Sequence, residues 1–234
     1  MLPPPCHLSP EKGRLNSTAG RAYPLPRLIV FDGDEGQRKG AIVGLLGLLD
    51  VENSARYRKG DGSTHCDLYA CDFLHQLGAY LPIVWWNAEA LAAWERGVPQ
   101  SVNYPSKTQD GTVRELSANS LHDWLLERGP GYGWRTLDSA KALQSHVDQT
   151  GYPAVICARR ADRRKSGHIT CVVPDQFRAD GAGIGPHIHG PGYAPLQTQA
   201  GSTNRRLFAS VWWDSGQFDS VVFAAYHGSD NGQS

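Results

Sequence analysis

Near Gly151-Tyr152-Pro153 the chain changes character, and that change constrains the fold more than any other feature. Upstream, apolar residues recur at helical spacing. Downstream they alternate, or run in short blocks bounded by glycine, proline and charge. The spacing predicts helices over 37–50, from Cys66 to Leu77, and over 87–96, 116–128 and 138–149. It predicts strands over 154–158, 168–173, 195–200, 211–213 and 221–226, with one early strand at 28–31. The strands at 154–158 and 168–173 flank a basic loop and read as a hairpin. Glycines at 40, 44 and 47 suggest close packing of the first helix. Helices first and strands last predict an α+β architecture, with N-terminal helices packed on a C-terminal antiparallel sheet.

The organisation expected is one domain over 27–228. A Pro-, Gly- and Ser/Thr-rich arm precedes it (1–26), flexible or laid as a strap over the domain, and a disordered tail follows (229–234). Forty per cent of the 234 residues are hydrophobic and seven are tryptophan, enough for a sizeable core. Basic and acidic residues number 23 each, a balance that argues against a general nucleic-acid binder. The run Arg159-Arg160-Ala161-Asp162-Arg163-Arg164-Lys165 reads as a solvated loop. The longest apolar run, about ten residues from Gly40 to Leu49, is too short for a bilayer, so no membrane insertion is expected. Five cysteines at irregular spacing suggest neither a disulfide framework nor a structural zinc site.

One cysteine differs from the rest. In Asp61-Gly62-Ser63-Thr64-His65-Cys66-Asp67-Leu68, a polar loop enters an apolar helical pattern, and Cys66 stands at the junction. The positive end of a helix favours thiolate, the nucleophilic form. Cys71, Cys157 and Cys171 sit inside apolar helices or strands and read as structural. About a hundred residues later, Ser166-Gly167-His168-Ile169-Thr170 offers a histidine at a strand start, a candidate general base. A third group should orient its ring. Gln197 and Gln199 share a face of a following strand, and either amide oxygen could accept from the imidazole N–H. Asn204, His187 and His189 rank below them. Asp175 lies about 23 Å further along an extended chain, too far to serve. For an oxyanion hole, the Cys66 N–H is the first candidate, with Asn53, Tyr57 or His65 as side-chain donors. His187-Ile188-His189 with His168 raises a metal arrangement, but neither a carboxylate nor an HExxH motif accompanies them. No cofactor is expected. The tryptophans at 85, 86, 94, 124, 134, 212 and 213 read mainly as core and rim, with a glycan-lining role as the alternative.

Loop-to-helix cysteine followed by strand-borne histidine is the layout of papain-like cysteine hydrolases. Thr64-His65-Cys66-Asp67-Leu68-Tyr69-Ala70 with Gly167-His168-Ile169-Thr170-Cys171-Val172-Val173 resembles the NlpC-type and CHAP-type peptidoglycan amidases and endopeptidases. Arg114-Glu115-Leu116-Ser117-Ala118-Asn119-Ser120-Leu121, with Gly131-Tyr132-Gly133-Trp134, is similar to some bacterial wall-degrading effectors and phage-type lysins. The usual Asp-Cys-Ser or Cys-Thr-Trp context is absent. The resemblance implies a papain-like fold and amide hydrolysis in peptidoglycan stem peptides or cross-links through a thioester. It also implies action at the cell wall. The N-terminus offers no basic segment leading into an apolar one, so synthesis in the cytoplasm and delivery by injection or another export route are expected. A type VI secretion effector with a cognate immunity protein, monomeric, is the context expected. A phage-type endolysin, a protein-directed cysteine protease or deamidase-like toxin, and a non-catalytic glycan-binding module are the alternatives.

Overall fold

In the computed structural model the protein is described over residues 2–8, 25–60, 64–105, 110–180 and 192–228. Among these residues the α-helices are α1 (Glu35–Leu49), α2 (Cys66–Gln76), α3 (Ala88–Glu95), α4 (Ala118–Glu127) and α5 (Ala140–Thr150). The strands are β1 (Val84–Trp86), β2 (Val113–Glu115), β3 (Trp134–Leu137), β4 (Ala154–Arg160), β5 (His168–Val172), β6 (Leu196–Gln199), β7 (Arg205–Ala209) and β8 (Phe218–Tyr226). β1 and β2 form a small antiparallel pair, and the others form one antiparallel sheet in the order β3-β8-β4-β5-β6-β7. The protein is α+β, and the expected β4–β5 hairpin forms, with Ile156 opposite Thr170 and Cys157 opposite Ile169. No helix of the described residues is long and apolar enough to cross a membrane.

Side-chain alternation along β4 and β5 divides the core in two. Val155, Cys157, Ile169 and Cys171 face α2 and α4, where Phe73, Leu74, Leu121 and Leu125 bury against them. Ala154, Ile156, Ala158 and Val172 face the other way, toward Leu143 and Val147 of α5 and toward Trp213. The sheet is therefore covered on both faces, not by one helical layer alone.

Caps fix the helices that carry this packing. Asp34 caps α1 by accepting from Gln37 N–H at 2.9 Å, while Gln37 Oε1 accepts from Asp34 N–H at 2.8 Å, a reciprocal box. The glycines at 40, 44 and 47 are not at close approaches: a Cβ on any of them would meet open space. α2 ends at Gly78, whose φ of +72° suits a residue without Cβ.

Two expected strands do not form, and four others do. Residues 28–31 form no strand, and a buried side chain takes the backbone where the stretch begins. Leu28 N–H donates to Gln76 Oε1 at 2.5 Å, and Gln76 Nε2 donates to Pro26 O at 2.9 Å. The tryptophans expected in a strand at 211–213 lie instead in a 3₁₀ turn, Trp212–Asp214. A strand would send neighbouring rings to opposite faces; the turn lets them meet edge to face at 5.6 Å. Four short strands, β1, β2, β3 and β7, had no clear periodic signal. At the N-terminus, residues 2–8 lie as a strap. Trp86 Nε1 donates to Pro4 O at 3.0 Å, Cys6 N–H donates to Tyr80 Oη at 2.7 Å, and Cys6 and Leu8 are buried. The expected tail, 229–234, lies outside the described residues.

Candidate active site

Cys66 occupies the first turn of α2, with His65 at the N-cap. The helical run of the sequence begins at Cys66, and His65 at the N-cap makes no side-chain capping bond. The packing of α2 against β5 brings Cys66 close to the start of that strand, where the Ile169 N–H favours its thiolate. The Asp67 N–H and the Thr64 side chain favour it as well.

These donors do not yield a resting thiolate. Cys66 is 2% exposed. Burial pushes its pKa up to about 12, and the neighbouring Asp67 charge pushes the same way, against the pull of the three donors. The helix-terminus argument from sequence is outweighed here, because desolvation of a sulfur anion exceeds what the end of one helix returns. In the resting protein the proton sits on sulfur.

His168 opens β5, one residue before Ile169. Its Nε2 lies 2.7 Å from Gln199 Oε1 on β6. Gln199 is held in turn by its Nε2, which donates to Thr203 O at 3.1 Å, so its oxygen faces the imidazole. An amide oxygen only accepts. His168 Nε2 therefore carries the hydrogen, and Nδ1 presents a lone pair. The ring's pKa is lowered, first by burial and then by the nearby Arg160 charge, while Gln199 pulls the other way. A neutral imidazole with a fixed tautomer is the form a general base requires. In this resting arrangement its hydrogen bond runs to Gln199 and not to Cys66.

The two glutamines divide the orienting work. Gln197 is fully buried and has all its polar valences filled. Its Oε1 accepts from Thr170 Oγ1 at 2.8 Å and Trp212 Nε1 at 2.9 Å; its Nε2 donates to Ser210 O at 2.9 Å and Pro195 O at 3.2 Å. Trp212 then stands edge-on against His168, ring centroids 4.6 Å apart at 73°. Gln199 holds the imidazole by hydrogen bond, and Gln197 holds the indole that walls it.

The approach of the backbone at this point explains Gly167. A Cβ there would lie 2.4 Å from Ala158 O and 2.7 Å from Asn119 Oδ1. Asn119, at the start of α4, ties both ends of the β4–β5 connection: Oδ1 accepts from Arg160 N–H at 2.9 Å, and Nδ2 donates to Lys165 O at 2.9 Å. The sequence reading attached no role to the segment around Asn119; the structure makes it the clamp that sets where β5 begins.

A cavity of about 460 Å³ opens beside His168. Gln199, Trp212, Arg160, Arg205 and Thr64 line it; Cys66, two residues beyond Thr64, is buried and does not. The remaining candidates lie elsewhere. Asn53 is exposed and donates to Asp50 Oδ1 at 2.9 Å. Tyr57 is buried and donates to Asp72 Oδ2 at 3.0 Å, beside the Arg56–Asp72 ion pair at 2.6 Å, so its hydroxyl is committed to the core. Asn204 holds the β6–β7 turn to the segment before α2, through Val51 O at 2.8 Å and Tyr57 O at 3.1 Å. His187 and His189 lie outside the described residues. No three of His, Cys, Asp or Glu converge on a metal position among the described residues. Trp212 and Arg160 were missed as site residues. The Trp212-Trp213 doublet was the available signal for the first, and the charge run that begins at Arg159 for the second.

Compared with protein-family models, with curated proteins and with solved structures, the chain matches none of them.

Proposed function

We propose that this protein is a papain-like cysteine hydrolase acting on amide bonds of peptidoglycan, with Cys66 as nucleophile and His168 as base. One observation carries the reading: His168 is locked by Gln199 in the tautomer that frees Nδ1, on the strand whose start lies close to Cys66.

In this mechanism the resting pair is neutral. Alternation along β5 puts the His168 ring on the Val172 and Trp212 face, away from α2, so this mechanism requires substrate binding to bring the Cys66 side chain and Nδ1 together past the start of the strand. Nδ1 takes the thiol proton as sulfur attacks the carbonyl carbon. The Cys66 N–H at the start of α2 faces the developing oxyanion. Collapse expels the amine, which receives its proton from Nδ1–H, and leaves a thioester. Water, deprotonated by Nδ1, attacks the thioester; the acid is released and sulfur recovers the proton. Gln199 Oε1 accepts from Nε2–H throughout and stabilises the imidazolium. The context we propose is an antibacterial effector acting at the wall, restrained in the producing cell by an inhibitor.

The test is incubation of the purified protein with peptidoglycan sacculi, followed by labelling of new amino groups and mass analysis of the fragments. Release by wild type and none by Cys66→Ala or His168→Ala is expected. Equal release by Cys66→Ala, or none by wild type, overturns the reading.

A further inference from the structure

The cavity beside His168 has a charge pattern that amide hydrolysis alone does not require. Among the described residues its wall contains Arg160 and Arg205 and no aspartate or glutamate. The other arginines of β4 and its following loop are paired with carboxylates: Arg159 with Asp123 at 3.0 Å and Asp219 at 3.1 Å, Arg163 with Asp219 at 3.4 Å, Arg164 with Asp162 at 2.9 Å. Arg160 is held differently. Its Nε donates to Ser166 O at 3.1 Å, its Nη1 to Gln217 Oε1, and its guanidinium lies 4.7 Å from the centroid of the Phe218 ring. These partners fix its orientation, and none neutralises it. Its Nη2 makes no hydrogen bond among the described residues. Arg205 packs over Phe208 at 5.8 Å and likewise forms no ion pair among the described residues.

We propose that this cavity recognises a carboxylate on the substrate, with Arg160 as its principal ligand and Arg205 as the second. The preferred acyl donor is then a peptide bearing a free carboxylate close to the scissile amide. The inference rests on the hydrolase reading above. An anchored guanidinium binds a planar carboxylate through paired charge-assisted hydrogen bonds, and anchoring removes the rotamer entropy that a free arginine would lose. The ligand also acts on the base. Arg160 holds the proton affinity of His168 down in the empty site, and a carboxylate on Arg160 offsets that charge when substrate is present.

The experiment uses the full chain carrying Cys66→Ala and two synthetic stem tetrapeptides. One has a free glutamate α-carboxylate; the other has that group amidated. Titration calorimetry should show the amidated peptide binding about 10- to 100-fold more weakly. Adding Arg160→Gln should erase the difference, and Arg160→Lys should keep part of it. Thermal melting checks that these variants fold, and Arg205→Gln, at an exposed position, gives a second variant with a smaller loss. Equal affinity for the two peptides, or a preference that survives Arg160→Gln, overturns the inference. Turnover by otherwise wild-type protein separates it from the reading beneath it. Selective binding without cleavage removes the hydrolase and keeps the carboxylate site. Cleavage of both peptides with equal kcat/KM removes the carboxylate site and keeps the hydrolase.

Discussion

Gln199 Oε1 and His168 Nε2 are 2.7 Å apart across β5 and β6, and the carbonyl of Thr203 decides which atom of the amide faces the ring. A loop carbonyl thus sets the tautomer of the base through one intervening side chain. Gln199→Ala should lower kcat about 10- to 100-fold, the worth of a hydrogen bond to a charged group, with KM little changed. A fall in KM and kcat of similar size would argue against an orienting role.

The same pair predicts a pH signature. His168 must be neutral to accept the thiol proton, so the acidic limb of kcat/KM follows its pKa, which burial and Arg160 hold below the ordinary histidine value. Activity should therefore persist below the pH at which an ordinary histidine protonates. Gln199→Glu adds a charge that favours imidazolium, so the limb should move to higher pH. A limb that stays in place would separate His168 from the chemistry.

Cys66 should behave as a thiol. With its pKa pushed up to about 12, alkylation by iodoacetamide should be slow at neutral pH and climb through the alkaline range. Peptide mapping with Cys66→Ala as control identifies the site. A reaction plateau near neutrality would show a stable thiolate and a resting ion pair instead.

Gln197 supports Trp212 and Thr170 from a fully buried position. Gln197→Leu removes the acceptor of both and the donor to two carbonyls, so it should destabilise the fold by about 2–3 kcal/mol or more in urea titration. Trp212→Phe keeps a ring beside His168 and should cost less stability. Both should lower kcat, because the imidazole loses its wall or the wall loses its anchor.

Tyr57 serves the core and not the oxyanion. Tyr57→Phe should cost about 1 kcal/mol of stability and leave kcat/KM within about twofold. Asp72→Ala should cost about 3–5 kcal/mol, because it removes the carboxylate that the largely buried Arg56 guanidinium bonds. A large loss of activity in Tyr57→Phe at unchanged stability would return Tyr57 to the site.

What the chain itself determined was local. Helical spacing marked α2 and its start at Cys66, the apolar pattern marked α1, and alternation marked the β4–β5 hairpin. The period-2 relation also put Gln197 and Gln199 on one face before any partner was known. Those features depend on neighbours a few residues apart, where backbone geometry links spacing to direction. Tertiary structure decided the rest. Which glutamine meets His168 depends on the β5–β6 register, with Val172 opposite Gln197, and that register reflects packing along the whole sheet. Whether Cys66 rests as thiol or thiolate depends on its burial between α2 and β5, which outweighs the helix end at the same position. Residues 28–31 and the Trp212-Trp213 doublet had strand composition but not strand structure: Gln76 takes the Leu28 N–H and Gln197 takes the Trp212 indole N–H. Hydrogen-bond satisfaction and desolvation are summed over a neighbourhood that only the folded chain assembles.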